Sequence, residues 1–340
     1  MKKKSPSNNE KERIIEEVQK MLEERGRKPL EMARKAILEE EIESKEVKEA
    51  LHYFITEYWH DLARPTLMSI CCEAVGGDPN ATIPFAIPLS LISGALDIQD
   101  DIIDQSKTKH GRPTVYGKYG KEIAILAADA LLFKGFTLLH EAYTQIPKEK
   151  ALKIMKTIKD MFYELGNAEA LELNLRGRID ITPEEYLDIV RKKAADVEAH
   201  TLVGAILGDA KLNYHKKLAK YGRFLGMVII LRDDLLDSFD LEETKHRIEN
   251  EHLPFPIIYV LNKAKNRDKD FITETLLRKE ISNKLLREFI NKIGELNGFK
   301  YTKNLLDELA RKALSQIRGI EYNKEMLENF LRAITVTHYG

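Results

Sequence analysis

Asp100-Asp101-Ile102-Ile103-Asp104 closes the run Gly94-Ala95-Leu96-Asp97-Ile98-Gln99, and Asp233-Asp234-Leu235-Leu236-Asp237 closes Val228-Ile229-Ile230-Leu231-Arg232. Both blocks read D-D-x-x-D, and both end an apolar stretch with helical spacing. A carboxylate in such a setting is costly unless a cation meets it. On a helix, residues i and i+4 share a face. Asp100 and Asp104 therefore form one acidic edge, and Asp233 and Asp237 form another. Two such edges facing each other would hold hard divalent cations, Mg2+ above all, and the metals would hold a polyphosphate. The plainer reading is two Asp-rich helix ends near solvent. The repeated spacing after apolar runs weighs against it.

Around the blocks, helical periodicity dominates the 340 residues, and few stretches alternate as strands do. The spacing predicts a long helix over Ile83 to Ile103, a loop from Lys107 to Lys121, and a helix from Ile123 to Leu139. Thr182-Pro183-Glu184-Glu185 is a helix start, with Thr182 as N-cap, and the helix is expected to run on to about Leu207. The next, from about Leu218, carries the second block. Residues 1–45 are nearly all polar and read as a charged N-terminal helical extension. Residues 46–340 read as a single all-α domain. Lys and Arg (54) nearly cancel Asp and Glu (55), which gives no hint of a nucleic-acid partner. Cys71 and Cys72 read as free thiols in a reducing compartment. The charged N-terminus lacks an apolar core, and no run approaches 18 uncharged apolar residues. The expectation is a cytoplasmic protein without a transmembrane segment.

The ordered motifs resemble those of the trans-isoprenyl diphosphate synthases, the polyprenyl synthetase family. Asp100 to Asp104, followed by Lys109-His110-Gly111-Arg112-Pro113-Thr114, is similar to that family's first Asp-rich motif and its R-R-G-x-P-T tail. Ala124-Ile125-Leu126-Ala127-Ala128-Asp129-Ala130-Leu131-Leu132 resembles its A-I-L-x-G-D-x-L-L helix. Lys192 stands where the family has a K-T pair, and Gly226 to Asp237 resembles the second Asp-rich motif. The resemblance implies a bundle of long helices around a central cavity, usually a homodimer. It implies that Asp100, Asp104, Asp233 and Asp237 bind Mg2+, three ions in all, with Asp101, Asp234 and Lys192 also in the catalytic set. Lys109, Arg112, Arg64 and either Lys245 or Arg247 would meet the substrate. Ala95 and Leu96 stand where bulky aromatics would shorten the product, and their small size implies a C20 or longer chain.

The second-substrate side departs from the pattern. The family's G-K-R-x-R-P becomes His60-Asp61-Leu62-Ala63-Arg64-Pro65, so Asp61 replaces a lysine and only Arg64 survives. Ser93 replaces a histidine, His110 replaces an arginine, and Ile229-Ile230 replaces F-Q. The helical G-Q-x-x-D becomes Ala168-Glu169-Ala170-Leu171-Glu172. Turning Lys into Asp reverses a Coulombic interaction of roughly 4 kcal/mol at ~4 Å and an effective dielectric near 20.

Three functions follow. By family default the chain is a Mg-dependent prenyltransferase that ionises an allylic prenyl diphosphate and elongates it with isopentenyl diphosphate. The alternative is a terpene-synthase-like enzyme, a diphosphate lyase, or a prenyltransferase to another acceptor, which leaves isopentenyl diphosphate open as a partner. The third is a non-catalytic subunit of a heteromeric synthase, against which the retained aspartates argue. Plain structural roles stand beside the sharper ones. Lys192, Lys109 and Arg112 can be solvated surface charges. Asp196, Glu198 and His200 resemble a metal cluster only in composition. Asp129 reads as a buried, hydrogen-bonded acid, and Tyr53, Phe54, Tyr58 and Trp59 read as core.

Overall fold

The computed structural model describes residues 8–109 and 111–336. The architecture is all-α, as expected. The only β-structure among the described residues is a hairpin of Thr108–Lys109 against Arg112–Pro113. His110 lies outside the described residues. The chain divides into two compact units.

The first unit holds the chain up to Thr157, His200–Lys216 and Gly319–Ala333. It opens with the helix Asn8–Leu38. Although the extension is largely polar, its Ile14, Val18, Leu30, Ala33 and Ile37 are buried. One apolar residue in three or four suffices to seat a helix when the stripe keeps its phase. Ser44 caps Lys45–His52, which passes into a π-helix at Tyr53–Tyr58. Phe54 and Trp59 are stacked in the core with centroids 5.6 Å apart. Asp61 Oδ1 accepts from the backbone N–H groups of Ala63 (2.9 Å) and Arg64 (3.2 Å), starting the helix Ala63–Glu73. The helix Ile83–Ile103 matches the expected span. It packs against Lys121–Thr144, where Gly135 lets the two backbones meet. A Cβ there would lie 3.1 Å from the Pro88 carbonyl. The expected loop between them also contains the hairpin and a short helix, Val115–Tyr119. Asp129 is exposed, contrary to the buried role expected of it. Ala124, Ala127, Ala128 and Leu131 take the inward face instead.

The second unit holds Ile158–Ala199, Lys217–Arg318 and the chain from Ile334. Thr182 caps Pro183–Lys193 through the Glu185 N–H (3.1 Å). That helix does not run unbroken to Leu207. It stops at Ala194, and a new helix covers Ala195–Leu207. Arg223, from the helix Leu212–Asp237, donates to the Arg191 carbonyl at 2.6 Å, and that carbonyl is the ordinary acceptor for Ala195. The helix Leu212–Asp237 carries the second block at its end. Leu241–Asn250 follows, capped by Asp240, and then Phe255–Lys263. Tyr186, Tyr221, Phe255 and Phe289 form the core of this unit.

Two stretches, Pro79–Ile103 and Lys121–Thr144, reach the length and mean hydropathy (1.6 each) of a membrane span once two charges are tolerated. The first is 67% buried within the fold, as a core helix is; the second is 33% buried and leaves an apolar face exposed.

Candidate active site

Each acidic block sits at the C-terminal end of its helix, where the macrodipole disfavours negative charge. A cation is needed at both places, and each unit supplies one from the following segment.

In the first unit the Ile83–Ile103 helix ends with Asp104 as C-cap, and Gln105 turns left-handed (φ 57°). The chain then folds back. The Thr114 N–H donates to the Lys107 carbonyl at 2.9 Å, and the Thr114 hydroxyl donates to the Ser106 carbonyl at 2.7 Å. Gly117 lies so close to Lys107 that a Cβ would sit 1.9 Å from its carbonyl oxygen. These contacts bring Lys109 over the block. Its ammonium lies 2.7 Å from Asp101 and 3.3 Å from Asp100. Asp101 is buried, and burial pushes its carboxyl up to about 6 although Lys109 pulls the other way. For Lys109, burial favours the neutral form, but Asp100 and Asp101 together outweigh it and hold the ammonium well above the ordinary lysine range. Asp100 keeps 33% side-chain exposure against 3% for Asp101, and Asp104 is half-buried.

Beside this block, Arg64 pairs with Asp61 at 2.8 Å and approaches Asp97 at 3.8 Å. The Trp59 indole also donates to Asp97, at 2.7 Å. Arg112 is exposed and donates to the Glu57 carbonyl at 3.3 Å. Ser93 and Ala95 are buried, Ala95 within the core cluster, while Leu96 is half-buried.

In the second unit the counter-cation is Arg247, from the helix Leu241–Asn250. It is buried and donates to Asp237 Oδ2 at 2.7 Å and to Asp234 Oδ1 at 2.9 Å. Its Nε lies 3.1 Å from Glu251 Oε2. Asp234 Oδ2 accepts from the Tyr186 hydroxyl (2.7 Å) and from the Phe255 N–H (3.2 Å). His252 Nε2 lies 2.7 Å from an Arg247 nitrogen, and Nδ1 lies 3.3 Å from Glu172. Arginine only donates, so Nε2 accepts and the Nδ1–H faces Glu172. Burial and then Arg247 push this imidazole down to about 3, so it is neutral. Glu172 pairs on its other side with Lys193, which also meets Glu169 at 2.9 Å. Burial pushes the Asp237 carboxyl up to about 7, against the pull of Arg247. Asp233 keeps 54% side-chain exposure and Asp237 27%, against 2% for Asp234.

The remaining candidates are more open. Lys192 pairs with Asp188, one turn back on the same helix. Lys245 is 37% exposed and lies 3.9 Å from Glu249. Arg247, by contrast, is turned inward. Glu198 pairs with Arg223 rather than joining a metal cluster, and His200 is buried. Sequence reasoning missed Tyr186, Glu251 and His252 as members of the site. The acids Glu169 and Glu172, at i and i+3, were the available signal, since such a pair on one helix face calls for a base.

Among the described residues, no three His, Cys, Asp or Glu side chains gather into a ready metal cage. Each block instead turns outward two carboxylates, all oxygen donors. That donor set fits Mg2+, which takes one or two carboxylates and completes its shell with water and substrate phosphates.

Comparison with known proteins agrees with the motifs. The family profile described as Polyprenyl synthetase matches residues 44–293. The short chain isoprenyl diphosphate synthase of Methanothermobacter thermautotrophicus is 29% identical over 272 residues, covering 78% of this chain and 80% of that one. The geranylgeranyl diphosphate synthase of Methanosarcina mazei is 31% identical over 191 residues, covering 56% and 58%. The crystal structure of geranylgeranyl pyrophosphate synthetase from Pyrococcus horikoshii superposes with a TM-score of 0.84 at 25% identity, covering 96% of this chain and 99% of that one.

Proposed function

Because this chain belongs to the polyprenyl synthetase family, we propose that it is a Mg-dependent prenyltransferase. It ionises an allylic prenyl diphosphate and elongates it with isopentenyl diphosphate to a trans-polyprenyl diphosphate of C20 or longer. One observation carries the reading. In both blocks the inner aspartate, Asp101 or Asp234, is buried, while the outer ones, Asp100, Asp104, Asp233 and Asp237, keep part of their side chain exposed. Mg2+, three ions in this proposal, supplies Lewis-acid neutralisation of the departing diphosphate when bound. The outer carboxylates hold the ions and set their position. Lys192, Lys245 and Arg112 offer positive charge to the leaving group. Lys109 sets a positive charge against Asp100 and Asp101. Ala95 and Leu96 leave room for a long chain.

A second copy of the chain covers the exposed face of Lys121–Thr144 in this proposal, giving a homodimer. The support is an apolar row in which Leu126 is 51%, Phe133 76% and Phe136 45% exposed. Such area is costly to leave in water. Residues 46–340 act as one isoprenoid synthase domain. The buried free thiols Cys71 and Cys72 suit a reducing compartment such as the cytoplasm.

The Asp61–Arg64 pair favours a second reading. The cation that would meet isopentenyl diphosphate is already neutralised, so the allylic cation could instead cyclise, lose a proton, or meet water or another acceptor. The two readings separate in one experiment. Incubate the protein with Mg2+, farnesyl diphosphate and labelled isopentenyl diphosphate, then analyse diphosphates and hexane extract. Label in a C20 or longer diphosphate supports elongation. Hydrocarbon or alcohol formed without isopentenyl diphosphate supports the second reading and defeats the first. No pyrophosphate release defeats both.

A further inference from the structure

We propose that Arg247 is a positioning residue for the second acidic block, holding Asp237 where one of its oxygens meets the metal, and that it is not a ligand of the substrate diphosphate. The inference rests on the reading that this block holds metal.

The geometry is specific. Asp234 and Asp237 stand three residues apart on one helix, and the two terminal nitrogens of Arg247 span them at 2.9 and 2.7 Å. A planar guanidinium can bridge one helical turn in this way; an ammonium, a point charge, cannot do so with the same fixed angle. Asp234 has no oxygen to spare, since Oδ1 takes Arg247 and Oδ2 takes both Tyr186 and the Phe255 backbone. It therefore works as an anchor that fixes Arg247, and through it Asp237. Asp237 spends Oδ2 on the guanidinium, which leaves Oδ1 for a metal. Glu251 and His252 brace the guanidinium from other sides at 3.1 and 2.7 Å. Buried, with both terminal nitrogens committed to carboxylates, Arg247 is turned inward rather than toward open solvent. The more exposed Lys245 on the same helix is the better candidate to meet a diphosphate. Partners that orient a metal-binding carboxylate are commonly worth 10- to 100-fold in metal affinity.

The test uses Mn2+ as a spectroscopic stand-in for Mg2+, titrated by electron paramagnetic resonance in the presence of inorganic pyrophosphate. Arg247→Lys and Tyr186→Phe are compared with wild type and with Asp233→Asn, each verified as folded by circular dichroism. Both network variants should bind Mn2+ about tenfold more weakly. Their activity should recover to within about twofold of wild type when Mg2+ is raised about tenfold, as expected when only ligand placement is impaired. A purely structural arginine would lower the melting temperature without moving Mn2+ affinity, and that result overturns the proposal. An activity loss that excess metal does not restore overturns it as well, by pointing to direct substrate contact. If Asp233→Asn binds Mn2+ like wild type, the premise fails and the proposal with it. Should Arg247→Lys not fold, Tyr186→Phe decides by the same two readouts.

Discussion

The two acidic blocks share one sequence form, but the fold neutralises them in opposite ways. Asp100 to Asp104 are met by Lys109, a flexible side chain on a two-residue hairpin, 35% exposed. Asp234 and Asp237 are met by Arg247, which is buried and braced by Glu251 and His252. A part-exposed lysine on a loop can swing away from the block. A buried guanidinium fork cannot. The first block is thus adaptable and the second preset.

This contrast is open to attack by mutation. The largest effect is expected from Arg247→Met, which strands the buried charges of Asp234 and Glu251. Breaking a buried pair costs about 3–5 kcal/mol, whereas Lys109→Met should cost about 1 kcal/mol, because Lys109 is a third exposed and Asp101 can take up a proton. Denaturant titration of both variants measures the gap, and equal losses would erase the distinction. Next comes pH. Burial pushes the Asp237 carboxyl up to about 7, and the proposed metal role requires it ionised. Protons compete below that value, so Mg2+ affinity should weaken about fivefold from pH 7 to 6 and level off above 8. A flat profile across this range would contradict the placement of Asp237.

A smaller change is expected from Asp61→Asn. Asparagine still caps the helix Ala63–Glu73 but releases Arg64 from its ion pair. At about 1 kcal/mol for a part-exposed pair, the KM for isopentenyl diphosphate should fall about fivefold. An unchanged KM would show that Arg64 does not meet this substrate. A further effect concerns His252. Its folded value, about 3, lies below the ordinary 6.5. The unfolded chain therefore takes up a proton that the folded site refuses. Stability from this group is complete above 6.5 and is lost as pH falls from there towards 3. The melting temperature of wild type should drop more between pH 7.5 and 5 than that of His252→Gln.

Much of this was legible in the sequence. The helix Ile83–Ile103 and the Thr182–Pro183 start were fixed by strong local signals, an apolar run and an N-cap with proline. Both acidic blocks stood out for the same reason. What stayed hidden depended on contacts distant along the chain. The break at Ala194 needs Arg223, 29 residues later, to claim a carbonyl. The burial of the N-terminal stripe needs a partner surface that no local pattern reveals. Asp129 faces solvent because the inward phase of its helix is already filled by Ala124, Ala127, Ala128 and Leu131. The inner and outer aspartates of each block are identical in sequence, and only their burial in the fold tells them apart.

The central claim is that the outer aspartates hold the metal that lets a prenyl diphosphate ionise. Mg2+-dependent release of pyrophosphate from an allylic prenyl diphosphate tests it directly, measured for wild type, Asp100→Asn and Asp233→Asn at equal folded concentration. The account predicts release from wild type and a fall of about a thousandfold, ~4 kcal/mol in the barrier, in each variant. Release from either variant at the wild-type rate would contradict it.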